Sequence, residues 1–279
     1  MTSTDGAAAP ARLFTRLVDD AGLFPPTGLS MPDAIARYRS DRCASSEVLT
    51  GRFVCPAARL DELVSVLRPE DRVEVAVICS PLDDGAMSAA AARVERDGRL
   101  SLGAIEGLFD PSLPRRSDGG VEVFAEVPLF GEWECAFEHL AESGLGLKVR
   151  CGGLDASFFP PVELLAAVIV SCARSSVSFK ATAGLHHAVR HRDAATGFVH
   201  HGFANLVLAA CRAVEGWDDD GVRAALTIDD ATSLVTELCA VDEKTADRAR
   251  ELFRSYGSCS TSEPVEDLGR LGLIGFARG

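Results

Sequence analysis

Short apolar runs alternate along this chain with longer stretches in which apolar residues recur every three or four positions. The runs Leu17–Leu23, Leu49–Cys55, Val73–Cys79, Ser101–Glu106, Val121–Val127, Leu145–Arg150 and Val177–Ala181 read as strands, and Gly257–Ser260 supplies an eighth. Between them the spacing turns helical. Ser30 and Pro32 open "SMPDAIARYRSD", and Ala57–Leu67 places Leu60, Leu63, Val64 and Leu67 on one face. Further helices fit Gly85–Arg96, Glu132–Ser143, Pro161–Arg174 and Phe203–Val214, two or three short ones fit residues 221–256, and a last one starts near Glu263.

Strands alternating with helices mark a parallel sheet with helical crossovers, and eight such strands in about 250 residues fit a (β/α)8 barrel. An open doubly wound α/β sheet is the competing architecture. It is disfavoured because no Gly-x-Gly-x-x-Gly follows the first strand and no Gly-x-x-x-x-Gly-Lys-Ser/Thr occurs. The expectation is one α/β barrel domain over residues 1–279, with residues 221–256 as a helical insertion before the last strand.

Composition narrows the setting. A chain 47% hydrophobic and 25% charged can bury a large core, which excludes a disordered polar polymer. "MTSTDGAAAPA" lacks the basic start and apolar middle of a secretory signal, and no uninterrupted apolar run reaches bilayer-spanning length, so a cytoplasmic location is expected. The net charge of -13 opposes nucleic acid and anionic membrane. Expected partners are a small anionic substrate and another copy of the chain. The cysteines are scattered without a Cys-x-x-Cys pair, which points to neither a disulfide framework nor a cysteine zinc site.

In a barrel, chemistry gathers where strands end, and several apolar strands here end on polar residues. The first carries Asp19 and Asp20, the fourth Glu106, the fifth Glu126, the sixth Lys148 and Arg150, and the seventh Lys180. The lysines stand out. Of 28 basic side chains only Lys148, Lys180 and Lys244 are lysines, and the rest are arginines. Lys244 lies in a charged helical stretch, whereas Lys148 in "LGLKVRCGG" and Lys180 in "VSFKATAGL" interrupt strands. An amine can lose its proton when buried and condense with a carbonyl to a Schiff base, which a guanidinium cannot do. The alternative is a lysine ion-paired inside the barrel with Glu106 or Glu126.

"FKATAGL" resembles the lysine strand of class I aldolases of the deoxyribose-phosphate aldolase type, and "LKVRCGG" one strand earlier would supply a second amine. The resemblance implies a TIM barrel carrying a Schiff-base lysine and a partner amine on neighbouring strands. The chain departs from that pattern in its histidines and in residues 221–256.

Every histidine except His139 falls within residues 186–201, as His186, His187, His191, His200 and His201. One reading gives His186 or His187 a proton-transfer role, carried over the barrel mouth by Gly184. Another gives the cluster a divalent metal, although neither His-x-x-x-His on a helix nor His-Glu-x-x-His is clean. Gly152–Gly153 beside Arg150, and Gly257 before Ser258, resemble loops whose N–H groups cradle an anion, or are ordinary turns. Cys151 and Cys259 are expected to be ordinary buried or loop thiols. The reading is therefore a lyase in which Lys180 is the Schiff-base amine and Lys148 lowers its pKa. Glu126 acts as acid, base or counter-ion, and Arg150, Gly152, Gly153, Asp19, Glu106 and Ser258 bind substrate. No cofactor is expected. The alternatives are a metal enzyme built on His186–His201 and a non-catalytic ligand-binding or assembly barrel.

Overall fold

A computed structural model of the chain describes residues 8–44, 46, 48–113, 120–129, 131, 133–194 and 196–274. Its strands are β1 (Val18–Asp20), β2 (Leu49–Pro56), β3 (Val73–Ile78), β4 (Leu100–Leu108), β5 (Glu122–Glu126), β6 (Gly146–Arg150), β7 (Phe179–Thr182) and β8 (Phe253–Ser258). Each pairs in parallel with its sequence neighbours, and β1 pairs with both β2 and β8, which closes the barrel. The (β/α)8 expectation holds and the open sheet is excluded. A separate hairpin, His191–Arg192 with Val199–His200, lies in the connection after β7.

The two largest departures from the expected strand boundaries have identifiable reasons. β1 is short because the Asp20 carboxylate accepts the Gly22 N–H at 2.9 Å and turns the chain out of the sheet. β8 begins at Phe253, not Gly257, so residues 253–256 belong to the barrel and not to the insertion. Arg254 interrupts the apolar run there, but its Nε donates to Glu122 at 2.7 Å from within the sheet.

The helices are α1 (Ala8–Phe14), α2 (Met31–Ala44), α3 (Leu60–Val66), α4 (Asp84–Glu95), α5 (Trp133–Ser143), α6 (Val162–Ser175), α7 (Phe203–Glu215), α8 (Asp219–Thr227), α9 (Ala231–Cys239), α10 (Glu243–Leu252) and α11 (Ser262–Arg270). The expected start of α5 at Glu132, and residues 1–7, lie outside the described residues. The insertion is three short helices because each has its own aspartate cap. Asp218, Asp230 and Asp242 accept the N–H groups of Gly221, Ser233 and Thr245.

One apolar layer joins the outer barrel wall to the helices, with α7 buried along nearly its whole length. The stretch Ala156–Ser175 is apolar enough, at mean hydropathy 1.8, to resemble a membrane span. Pro160–Pro161 divides it, however, leaving α6 with 14 residues. That is about 21 Å of helix against a hydrocarbon core of about 30 Å. Leu165, Val168 and Ile169 of α6 are fully buried in the core. Inside the barrel, Val54, Ala76, Ala104 and Phe124 of β2–β5 form a separate apolar cluster, which confines the polar interior largely to the other strands.

Candidate active site

Side chains alternate between the two faces of a strand, so neighbouring polar residues part company at the barrel wall. Asp19 points inward and Asp20 outward, where Asp20 pairs with Arg37 of α2. Burial raises the Asp20 pKa, against the pull of Arg37. Of the two, Asp19 enters the barrel interior and Asp20 caps the turn after β1.

Asp19 meets Lys180 across the interior. Lys180 Nζ donates to Asp19 Oδ2 at 2.6 Å and to Glu106 Oε1 at 2.5 Å. The other oxygen of Glu106 lies 3.0 Å from Lys148 Nζ, which in turn lies 3.4 Å from Glu126 Oε2. Glu126 then accepts Arg150 Nε at 2.8 Å. Register explains the contacts: Lys148 on β6 pairs with Lys180 on β7 and with Glu126 on β5. Six sequence-predicted residues thus form one chain of alternating charge, Asp19, Lys180, Glu106, Lys148, Glu126 and Arg150. With every group ionised, three positive and three negative charges balance.

Exposure is graded along this chain. The side chain of Lys180 is 1% exposed, those of Lys148 and Glu126 are 6% and 11%, and that of Arg150 is 42%. Lys180 lies deep and Arg150 at the rim, at the C-terminal end of β6. Burial works against the Lys180 ammonium, but Asp19 and Glu106 outweigh it and its pKa stands above the ordinary lysine value. Burial would likewise raise Glu106, yet Lys180 and Lys148 bring it down to about 2. Lys180 is therefore a fixed cation and Glu106 a fixed anion near neutral pH.

Two supporting residues were missed by the sequence reading. Thr50 Oγ1 donates to Asp19 Oδ1 and Ser255 Oγ to Asp19 Oδ2, each at 2.7 Å, and both side chains are buried. Their signal was faint: Thr50 shares strand parity with Arg52 and Val54, but hydroxyls in strands are commonplace. Phe124 also contributes, its ring centroid 5.8 Å from Lys180 Nζ.

The other candidates lie apart from this chain. Gly152 and Gly184 bring the loops after β6 and β7 together; a Cβ on Gly152 would lie 2.6 Å from the Gly184 Cα. Gly184 also has φ +71°, so close approach and turning explain both glycines. A Cβ on Gly153 would meet Phe158 at 2.7 Å. Ser258 Oγ accepts the Ser260 N–H at 3.3 Å in a local turn.

His187 Nδ1 lies 3.1 Å from Asp267 of α11. His191 and His200 pack together in the hairpin, and His201 donates to the Pro160 carbonyl at 2.8 Å, with burial lowering its pKa to about 4. His139 contacts the Leu113 carbonyl. Among the described residues, no three His, Cys, Asp or Glu side chains converge as a metal donor set.

His186 meets a different partner, Cys259, just beyond β8. Its Nδ1 lies 4.0 Å from Cys259 Sγ and 3.4 Å from Glu263 Oε2. Burial opposes the Cys259 thiolate, but His186 and Thr27 outweigh it and lower the thiol pKa, whereas burial pushes Cys151 up to about 12. Iodoacetamide labelling followed by peptide mapping is expected to modify Cys259 and spare Cys151 at neutral pH. His186→Ala should slow labelling of Cys259 several-fold relative to exposed Cys239; an unchanged ratio would separate the thiol from the imidazole.

No protein-family model, curated protein or solved structure matches this chain significantly.

Proposed function

We propose that this chain is a Schiff-base enzyme, a lyase of aldolase type acting on a small anionic metabolite that bears a carbonyl. The observation that carries the reading is the pair of neighbouring lysines bridged by Glu106, one sealed and fixed as a cation, the other nearer the mouth. That gradient favours exchanging the roles assigned from sequence. Lys148 is the amine that condenses, and Lys180 is the fixed ammonium on the other side of Glu106.

In this scheme the Lys148 ammonium passes a proton to Glu126, the free amine adds to the substrate carbonyl, and Glu126 returns the proton to the hydroxyl that leaves as water, so that a protonated iminium remains. The iminium carries the same charge as the ammonium it replaces. Glu106 and Glu126, already placed against Lys148 Nζ, therefore stabilise it without rearrangement. Glu126 is also the group within reach for moving protons, and Arg150 at the rim holds the anionic part of the substrate. The histidines have no assigned step, because none shares a hydrogen bond or ion pair with the six-residue chain among the described contacts. The resemblance of "FKATAGL" and "LKVRCGG" to aldolase strands is consistent with this chemistry and carries less weight than the geometry.

A second reading, a ligand-binding barrel without catalysis, is favoured by one observation: Lys180 is fully engaged by carboxylates and out of reach of solvent. Intact-mass measurement separates the two. After incubation with small aldehydes and 2-keto acids and reduction with borohydride, one adduct per chain is expected with a preferred carbonyl. Unchanged mass across the panel would favour the binding barrel.

A further inference from the structure

The N-terminal ends of the strands hold a second concentration of charge, opposite the mouth. Arg16, Thr50, Arg52, Arg250 and Arg254 line a cleft of ≈180 Å³ there. Two carboxylates serve this group, each shared between two guanidiniums. Glu74 contacts Arg16 at 3.3 Å and Arg52 at 2.9 Å, while Glu122 contacts Arg52 at 3.1 Å and Arg254 at 2.7 Å. Among the described residues Arg250 is in direct contact with no carboxylate. Its terminal nitrogens donate to backbone carbonyls, including those of Arg16 at 3.0 Å and Arg254 at 2.6 Å. Its Nε is buried with no hydrogen-bond partner.

Four guanidiniums against two carboxylates leave an excess of two positive charges in a chain whose net charge is -13. We propose that this floor is a binding site for a tetrahedral oxyanion, the phosphate group of a small metabolite being the ligand class that fits. The cleft has room for about six waters, or for one such anion with part of its hydration. Arg254 uses only its Nε on Glu122, and Arg16 only one terminal nitrogen on Glu74. The planar fork of each is left with donors of the kind that grip phosphate in pairs. The site lies at the other end of the barrel and shares none of the six residues of that chain, with Thr50, which donates to Asp19, standing between the two.

Calorimetric titration of the full chain with inorganic phosphate, at ionic strength held constant with sodium chloride, tests the proposal. One saturable site is expected, and it should survive Arg150→Gln, which alters only the mouth. Arg254→Gln should weaken it by about tenfold or more, the loss typical of a charge-assisted contact. Should that variant fold poorly, Arg16→Gln, whose side chain is 54% exposed, is expected to weaken binding in the same direction. Glu122→Gln should tighten binding several-fold, an effect that general destabilisation would not produce. Phosphate binding no stronger than that of chloride would overturn the proposal. So would binding that Arg150→Gln abolishes and Arg254→Gln leaves intact.

Discussion

Glu106→Gln is expected to be the most destabilising conservative change in the barrel. It leaves two buried ammonium groups sharing a neutral amide, and removing one partner of a buried ion pair costs about 3–5 kcal/mol. For a chain of this size that corresponds to a fall in Tm on the order of 10 °C, readable by calorimetry or circular dichroism. The pH dependence follows from the signs of the shifts. The folded-state pKa of Glu106 is depressed from 4.5 to about 2, so its stabilisation is fully present above about pH 5 and fades as pH falls towards 2. Lys180 is shifted upward, so its contribution is present below its ordinary value of 10.5 and is lost as pH rises through the raised one. Glu106→Gln should therefore flatten the acid limb of the stability profile and leave a smaller difference from the natural chain at pH 3 than at pH 7. An equal difference at both pH values would mean that the carboxylate is not held ionised by the lysines.

Lys148→Arg is expected to have the largest effect on chemistry. It keeps a cation beside Glu106 and Glu126 but removes the only group in that position able to form a Schiff base. Borohydride trapping should disappear while the fold persists. Lys180→Arg makes the contrast. A guanidinium overfills the sealed position and should cost about 1–3 kcal/mol, yet it preserves the fixed charge, so trapping at Lys148 should continue at a reduced rate. Loss of trapping in Lys180→Arg, with trapping retained in Lys148→Arg, would restore the roles assigned from sequence.

Much of this architecture was legible before the structure. Seven strands followed directly from apolar runs, because parallel strands buried on both faces leave little room for polar interruption. Apart from Asp20, which faces α2, the polar residues that end these strands marked the interior. Asp19, Glu106, Glu126, Lys148 and Lys180 all break apolar strands, and the barrel brings all five into one chain of ion pairs. The eighth strand was misplaced for the same physical reason, since Arg254 and Ser255 face the polar interior and erase the pattern on which strand recognition depends.

Other features left weaker traces. The six-residue chain depends on strand order and stagger, which place Asp19 beside Lys180 across 161 positions of sequence. Nothing local reports that separation. The histidines mislead in another way: His187, His191 and His200 stay ring to ring in space, yet among the described residues no three donors converge on a metal position. The charged floor was also overlooked. Arg52, Glu74 and Glu122 sit near the beginnings of their strands, where a polar residue reads as an ordinary boundary.

The most direct test of the central claim is to locate the reduced adduct. The natural chain is incubated with the carbonyl compound that it traps best, treated with borohydride and mapped by peptide mass spectrometry. The account requires the added mass on the peptide containing Lys148, with Lys180 and Lys244 unmodified. An adduct on Lys180, or none on any lysine of the barrel interior, would contradict it.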